Sequence, residues 1–274
     1  MQKQLNLSRK ILYNLYWKQK LSMSQIAKKL KIGKTSVERY LKKFEIKIRN
    51  AEEGQKIRLQ IDGRSWFWNY INDKLTGRQK QMILGTILGD GTLYLRGRSK
   101  NARLKIQHTE KDKKYVEYKC NILKKFVANM GIKKETTFNP KTKKYYTSYT
   151  FVTVSHPEFT RYRKLFYLNG KKIVNKKILN QLTPFSLAIW IMDDGYYNIK
   201  GNFMELYTMN FTFEENSLIQ NWFKNSYEIL PQIEFHKQSK KHYLRFNIEN
   251  TKELIKIITP FINPCMERKI GRIV

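Results

Sequence analysis

Between residues 8 and 44 apolar side chains recur at helical intervals: Ile11, Leu12, Leu15 and Tyr16, then Ile26, Ala27 and Leu30, then Val37, Tyr40 and Leu41. Three short helices follow from this spacing. Ser22 or Ser24 supplies a cap for the second, Lys31-Ile32-Gly33 a tight glycine turn, and Thr35 or Ser36 a cap for the third. From residue 45 the periodicity fades. Residues 46–50 read as an arm or strand and residues 51–56 as a polar linker. The cluster Trp66, Phe67, Trp68 and Tyr70 reads as aromatics packed on the body of a larger domain.

Beyond residue 78 one pattern occurs twice. The apolar runs Ile83-Leu84-Gly85-Thr86-Ile87-Leu88-Gly89-Asp90-Gly91 and Leu187-Ala188-Ile189-Trp190-Ile191-Met192-Asp193-Asp194-Gly195 both end on an acid followed by glycine. After the first run the period changes to two. Arg103, Lys105 and Gln107 share one face of a strand and Leu104 and Ile106 the other. A helix with apolar Tyr115, Val116, Tyr118, Ile122, Leu123 and Phe126 follows. Next come a hairpin through Lys141-Thr142-Lys143-Lys144, a helix over residues 159–166, and a close on Lys171-Lys172. The second run leads into the same order: a hairpin ending at residues 206–208, a helix starting after Thr212 and running past Trp222, and a hairpin to residues 243–248. There Leu244, Phe246 and Ile248 face the core, and the half closes on Arg268-Lys269-Ile270. Asp194 follows Asp90 by 104 residues and Lys269 follows Lys172 by 97, so two halves of similar length share one plan.

Charge names the partner. Lys and Arg number 54 against 22 Asp and Glu, a formal +32 over 274 residues, which suits a polyanion and makes nucleic acid the default partner. No stretch approaches the roughly 20 apolar residues of a membrane span, and the N-terminus lacks a signal-peptide pattern, so an intracellular protein without a membrane partner is expected. Cys120 and Cys265 stand alone, without zinc-ligand spacing, and read as buried thiols. The four histidines likewise show no catalytic or metal-ligand spacing and read as surface or strand residues.

The two acids are the chemical clue. An aspartate in the last turn of a helix faces the negative end of its dipole, where a cation is preferred, so something must offset the charge. A divalent cation shared by two such carboxylates does so, because hard cations bind through one or two carboxylates together with substrate phosphates. Phosphodiester chemistry is therefore indicated.

Residues 23–41 resemble the DNA-binding helix-turn-helix of resolvases and many bacterial regulators, which makes Lys34, Thr35, Ser36, Glu38 and Arg39 candidates for base or phosphate contact. Residues 78–274 resemble the LAGLIDADG homing endonucleases of the single-chain, two-motif kind, most specifically over residues 182–195. That resemblance implies an α+β fold of two pseudo-symmetric αββαββα halves, residues 78–180 and 181–274, forming a saddle over DNA. It would follow a helix-turn-helix module over residues 1–50 and a linker or arm over residues 51–77. It also implies a monomer that cuts one phosphodiester on each strand of a specific site, leaving short 3′ overhangs, with Mg²⁺ or Mn²⁺. Asp90 and Asp194 would hold metal beside carbonyls near Gly89 and Asp193. Lys172 and Lys269 match the family's basic residues, and Gln107 would orient water. Arg96, Arg98, Arg103, Lys105, Lys200, Lys241 and Arg245 would contact DNA. Gly85 and Gly89, four apart, suit close helix packing, whereas Ile189 and Asp193 fill the matching places of the second motif. Two other functions use the same parts: a non-cleaving DNA-binding regulator, and an RNA maturase that assists intron splicing.

Overall fold

A computed structural model describes residues 7–61, 73–97, 99–128 and 130–272. The cluster at residues 66–70 and Arg98 lie outside the described residues. The chain divides into two compact units, Met1–Asn72 and Asp73–Val274.

The first unit is helical. Helix α1 (Arg9–Tyr13) continues into a π-helical turn, and α2 (Met23–Leu30), α3 (Lys34–Lys43) and α4 (Ala51–Ile61) follow. Leu12, Leu15, Ile26, Val37 and Leu41 bury their side chains in one small core, as the spacing requires. Ser22 caps α2 through a capping box with Gln25. The next turn departs from the sequence reading. Lys31 takes the left-handed conformation, at φ 52°, while Gly33 is extended and itself precedes α3, which has no side-chain cap from Thr35 or Ser36. The polar stretch from residue 51, read as linker, is also helical. Its first turn carries Glu52 and Glu53, and Glu53 accepts from the Asn50 backbone and from Lys47 Nζ at 2.9 Å, which anchors a sequence of weak apolar periodicity at its favoured acidic end.

The second unit is α+β, and its halves repeat one order. The first runs α5 (Gly77–Leu88), β1 (Thr92–Leu95), β2 (Ala102–Thr109), α6 (Lys113–Ile122), β3 (Lys133–Asn139), β4 (Lys144–Val152) and α7 (Pro157–Phe166). Short strands β5 (Tyr167–Leu168) and β6 (Lys171–Lys172) and helix α8 (Lys176–Leu179) lead across. The second runs α9 (Pro184–Asp194), β7 (Gly195–Asn198), β8 (Phe203–Leu206), α10 (Phe213–Tyr227), β9 (Gln232–His236), β10 (Lys241–Phe246) and α11 (Ile248–Ile258). Each half folds its strands into a four-stranded antiparallel sheet, ordered β1-β2-β4-β3 and β7-β8-β10-β9. In β2, Ala102, Leu104, Ile106 and His108 are buried and the residues between them half-buried, the alternation expected of a sheet with helices on one face. The last hairpin ends earlier than the sequence suggests. Asn247 caps α11 by accepting from the Asn250 N–H, and Ile248 is exposed.

Helix α9 is buried almost throughout and α5 from Met82 onward, and the two pack on each other. Glycine sets how near they come. A Cβ added at Gly85 would stand 2.2 Å from the Ser186 carbonyl oxygen, and one at Gly89 2.5 Å from Asp193 Cβ. Backbone cannot yield as a flexible side chain can, so Gly85→Ala should destabilise the protein by about 1–3 kcal/mol or more, read as a lowered thermal midpoint; an unchanged midpoint would contradict this contact.

Candidate active site

The glycine-mediated crossing carries both helix C-termini to one end of the unit, and a lysine from a later segment meets each. Lys172 Nζ, on β6, donates to the carbonyls of Gly89 at 2.7 Å and Gly91 at 3.1 Å. Lys269 Nζ, in the 3₁₀ segment Pro264–Ile270, donates to those of Asp193 at 3.0 Å and Gly195 at 2.8 Å. These ammonium groups satisfy carbonyls left free at the helix ends and place positive charge where the dipoles favour it. Burial holds both lysines below their ordinary pKa, and the nearby acids partly restore them. The charge that the sequence analysis expects a divalent cation to offset is thus offset in part by the chain's own lysines.

The acids are not equivalent. Asp90 is half-exposed, and Nδ1 of buried His108, on β2, stands 3.3 Å from its Oδ2. Burial raises the Asp90 carboxyl, but His108, Lys119 and Lys269 outweigh it and hold the group below the usual carboxylate range. The Asp90 N–H donates to Asp193 Oδ2 at 3.4 Å. Asp193 itself is wholly buried and meets Lys119 Nζ, equally buried on α6, at 2.6 Å, with His108 Nε2 3.4 Å from the same ammonium. Tyr115 lies under that ammonium, its ring centroid 4.4 Å away. One ligand atom each from Asp90, His108 and Asp193 falls within 4.8 Å of the others, close enough for a shared cation, although Lys119 already neutralises Asp193.

Asp194 is pushed up to about 8, first by burial and then by the charges of Asp193 and Asp90, with Lys172 and Lys269 opposing. Burial and the neighbouring acids outweigh both lysines, and a divalent cation would offset that excess of negative charge. The raised value also fixes a sign for pH. Between about 4 and about 8 the native state holds a proton that the unfolded chain has released, so stability falls as pH rises through that window. Relative to Asp194→Asn, the wild-type thermal midpoint should drop from pH 5 to pH 8 in chelator, and added divalent metal should restore more at pH 8 than at pH 5. Parallel pH profiles for the two proteins would remove this assignment.

A cleft of about 330 Å³ joins Asp90, His108 and Asp193 to Gln107, Ser148 and Lys269. Gln107 donates to Ser148 Oγ at 2.7 Å, and both line this cleft beside Asp90 and Asp193. Arg103 and Lys105 share its sheet face. Arg103 Nε donates to the Thr153 carbonyl at 2.9 Å, and Lys105 lies 3.7 Å from Glu135. Arg96, Lys200 and Lys241 are exposed, and Arg245 is half-buried. Lys34, Thr35 and Arg39 are exposed on α3 of the first unit, and Ser36 is half-buried. His108 and Lys119 are the residues that sequence reading missed, and for His108 the surface or strand reading holds only as far as the strand. A signal existed: His108 has the parity of Leu104 and Ile106, and a polar ring on an apolar strand face needs a buried partner. Cys120 and Cys265 are only partly buried. No helix among the described residues is long and apolar enough to cross a membrane.

The profile of the LAGLIDADG DNA endonuclease family matches residues 80–254. The chain is 29% identical over 206 residues to a cytochrome b mRNA maturase bI2 of Debaryomyces hansenii, covering 73% of this chain and 76% of the relative. It is 27% identical over 210 residues to the DNA endonuclease I-ChuI of Chlamydomonas applanata, covering 72% and 96%. It spans about half the length of the mycobacterial RecA proteins that it also matches, 47% in that of Mycolicibacterium flavescens. Among solved structures, the homing endonuclease I-WcaI bound to its DNA recognition sequence shares the fold, with a TM-score of 0.69 and 24% identity over 76% of this chain and 93% of that one.

Proposed function

Because the chain belongs to the LAGLIDADG DNA endonuclease family, we propose that it is a homing endonuclease that cuts both strands of a specific DNA site, with divalent metal as cofactor. The observation that carries this reading is the convergence of Asp90 and Asp194, each on a helix end held by its own lysine, at one crossing. Asp90 and Asp194, with carbonyls at Gly89 and Asp193, would hold Mg²⁺ or Mn²⁺. When bound, such ions lower the pKa of a water and stabilise the leaving oxygen of an in-line displacement. The protein's own share is positional. His108 fixes the Asp90 carboxylate, Lys172 and Lys269 oppose charge that develops on the phosphate, and Gln107, tethered through its amide nitrogen to Ser148, keeps its carbonyl oxygen free to accept from water in the cleft.

The basic side chains on the open sheet faces would follow the DNA backbone, and α3 of the first unit would add contacts through Lys34, Thr35, Ser36 and Arg39. A maturase role on RNA is the second reading, favoured by the bI2 relative. Incubating the full chain with a deep random duplex library and Mg²⁺, then sequencing the ends, tests the proposal. Discrete sites with short 3′ overhangs are expected. Binding without cutting would favour the regulator or the maturase.

A further inference from the structure

The two sheets present different chemistry on their open faces. By register, Arg103, Lys105 and Lys133 share the first face with Glu135. The second face balances Lys241 and Arg245 with Glu205 and Glu234, and adds the stacked rings of Tyr196 and Tyr207 at 6.3 Å, with Tyr243 5.8 Å beyond Tyr207. Glu205 is the unexpected member. It pairs across the strands with Arg245, yet that guanidinium turns away to lie 4.0 Å over the Phe203 ring. Glu205 instead accepts from two phenols, Tyr207 at 2.9 Å on Oε2 and Tyr243 at 3.5 Å on Oε1. In a chain of formal charge +32, this carboxylate has no cation partner among the described residues.

We propose that Glu205 is a specificity residue, a fixed acceptor that takes a hydrogen bond from the exocyclic amino group of a DNA base in the major groove, cytosine N4 before adenine N6. The proposal rests on reading the chain as a DNA endonuclease. A carboxylate offers about four lone-pair sites, and the phenols use one on each oxygen, leaving acceptor capacity on both. Phosphates repel that charge and have no proton to give it, so the groups of a duplex it can accept from are base amino groups, and cytosine N4 is the usual donor to a glutamate. The two phenols hold the carboxylate in place before DNA arrives, so little side-chain freedom is lost on contact.

The register also gives a position. Glu205 lies opposite Tyr196, two residues past Asp194, and Tyr207 N–H donates to the Asp194 carbonyl at 3.1 Å. With strands rising about 3.3 Å per residue and base pairs about 3.4 Å apart, the base read lies within about two or three pairs of the cut made by that half.

The test is selection of bound duplexes from a random library by the full chain, without added divalent metal so that bound DNA stays intact, for wild type, E205Q and the double variant Y207F/Y243F. Wild type should select cytosine at one position near the site's centre. E205Q should lose that preference by about tenfold to a hundredfold, or move it to adenine, to which an amide can both donate and accept, while nonspecific affinity and its salt slope do not fall. Y207F/Y243F, which keeps the carboxylate and loses its clamp, should weaken the preference without moving it to adenine. Matching preferences for wild type and E205Q would overturn the role of Glu205 and leave the endonuclease reading standing. A wild type without sequence preference would overturn both.

Discussion

Asp90→Asn and Asp194→Asn should each lower double-strand cleavage on the order of a thousandfold or more while leaving duplex affinity nearly unchanged. The asparagine keeps the size of the side chain and removes the charge on which cation binding depends. On the proposed reading, affinity for DNA would rest elsewhere, on basic groups spread over the sheet faces and on α3 of the first unit. The two variants should still differ from each other. Asp90 is tethered by His108 and held below the usual carboxylate range, whereas burial and two neighbouring acids push Asp194 up to about 8. With the strands labelled separately, each variant should retain nicking of one strand, and opposite strands should survive in the two. Wild-type rates of double-strand cleavage in either variant would show that its acid is not part of the chemistry.

Lys119→Met should lower the thermal midpoint by about 10 °C, and Asp193→Ala added to it should recover most of that loss. Breaking one side of a buried ion pair costs about 3–5 kcal/mol, because the remaining charge keeps its desolvation penalty and loses its partner. In a unit of this size each kcal/mol moves the midpoint by about 2–4 °C. Both side chains here are wholly buried and 2.6 Å apart. Alanine at position 193 keeps only the Cβ, which already packs against Gly89, so the double variant replaces a stranded charge with apolar contact. Scanning calorimetry of the two variants reads the effect. A double variant no more stable than the single one would place the cost in lost packing and not in charge.

The plan of the second unit was legible in its sequence because it is written twice. Two apolar runs ending in Asp-Gly, each followed by alternating strands and a capped helix, specify local structure and its repetition together, and Thr212 with Glu215 capped α10 where the pattern placed it. Lys172 and Lys269 close the matched halves, and the family resemblance singled them out. The partners of Asp193 were not legible. Nothing local ties a lysine in the middle of α6 to an acid 74 positions later. Lys119 reads as a surface cation until the fold brings α6 against the helix crossing. The helix over residues 51–61 was not legible for a different reason: α4 is fixed at its start by charged and capping side chains, and periodicity does not register those.

The mismatch at the helix crossing also bears on how the halves can be recombined. Gly85 and Gly89 lie against Ile189 and Asp193, a small surface fitted to a large one. Two copies of the first half would set glycine against glycine and leave a gap in the seam. Two copies of the second would set isoleucine against isoleucine and bring two buried carboxylates together without the lysine that α6 supplies. Each half is therefore a specific mate for the other. A library built by exchanging halves between relatives should yield folded proteins only where the small and large seams are kept in opposition and Lys119 travels with the glycine-bearing half.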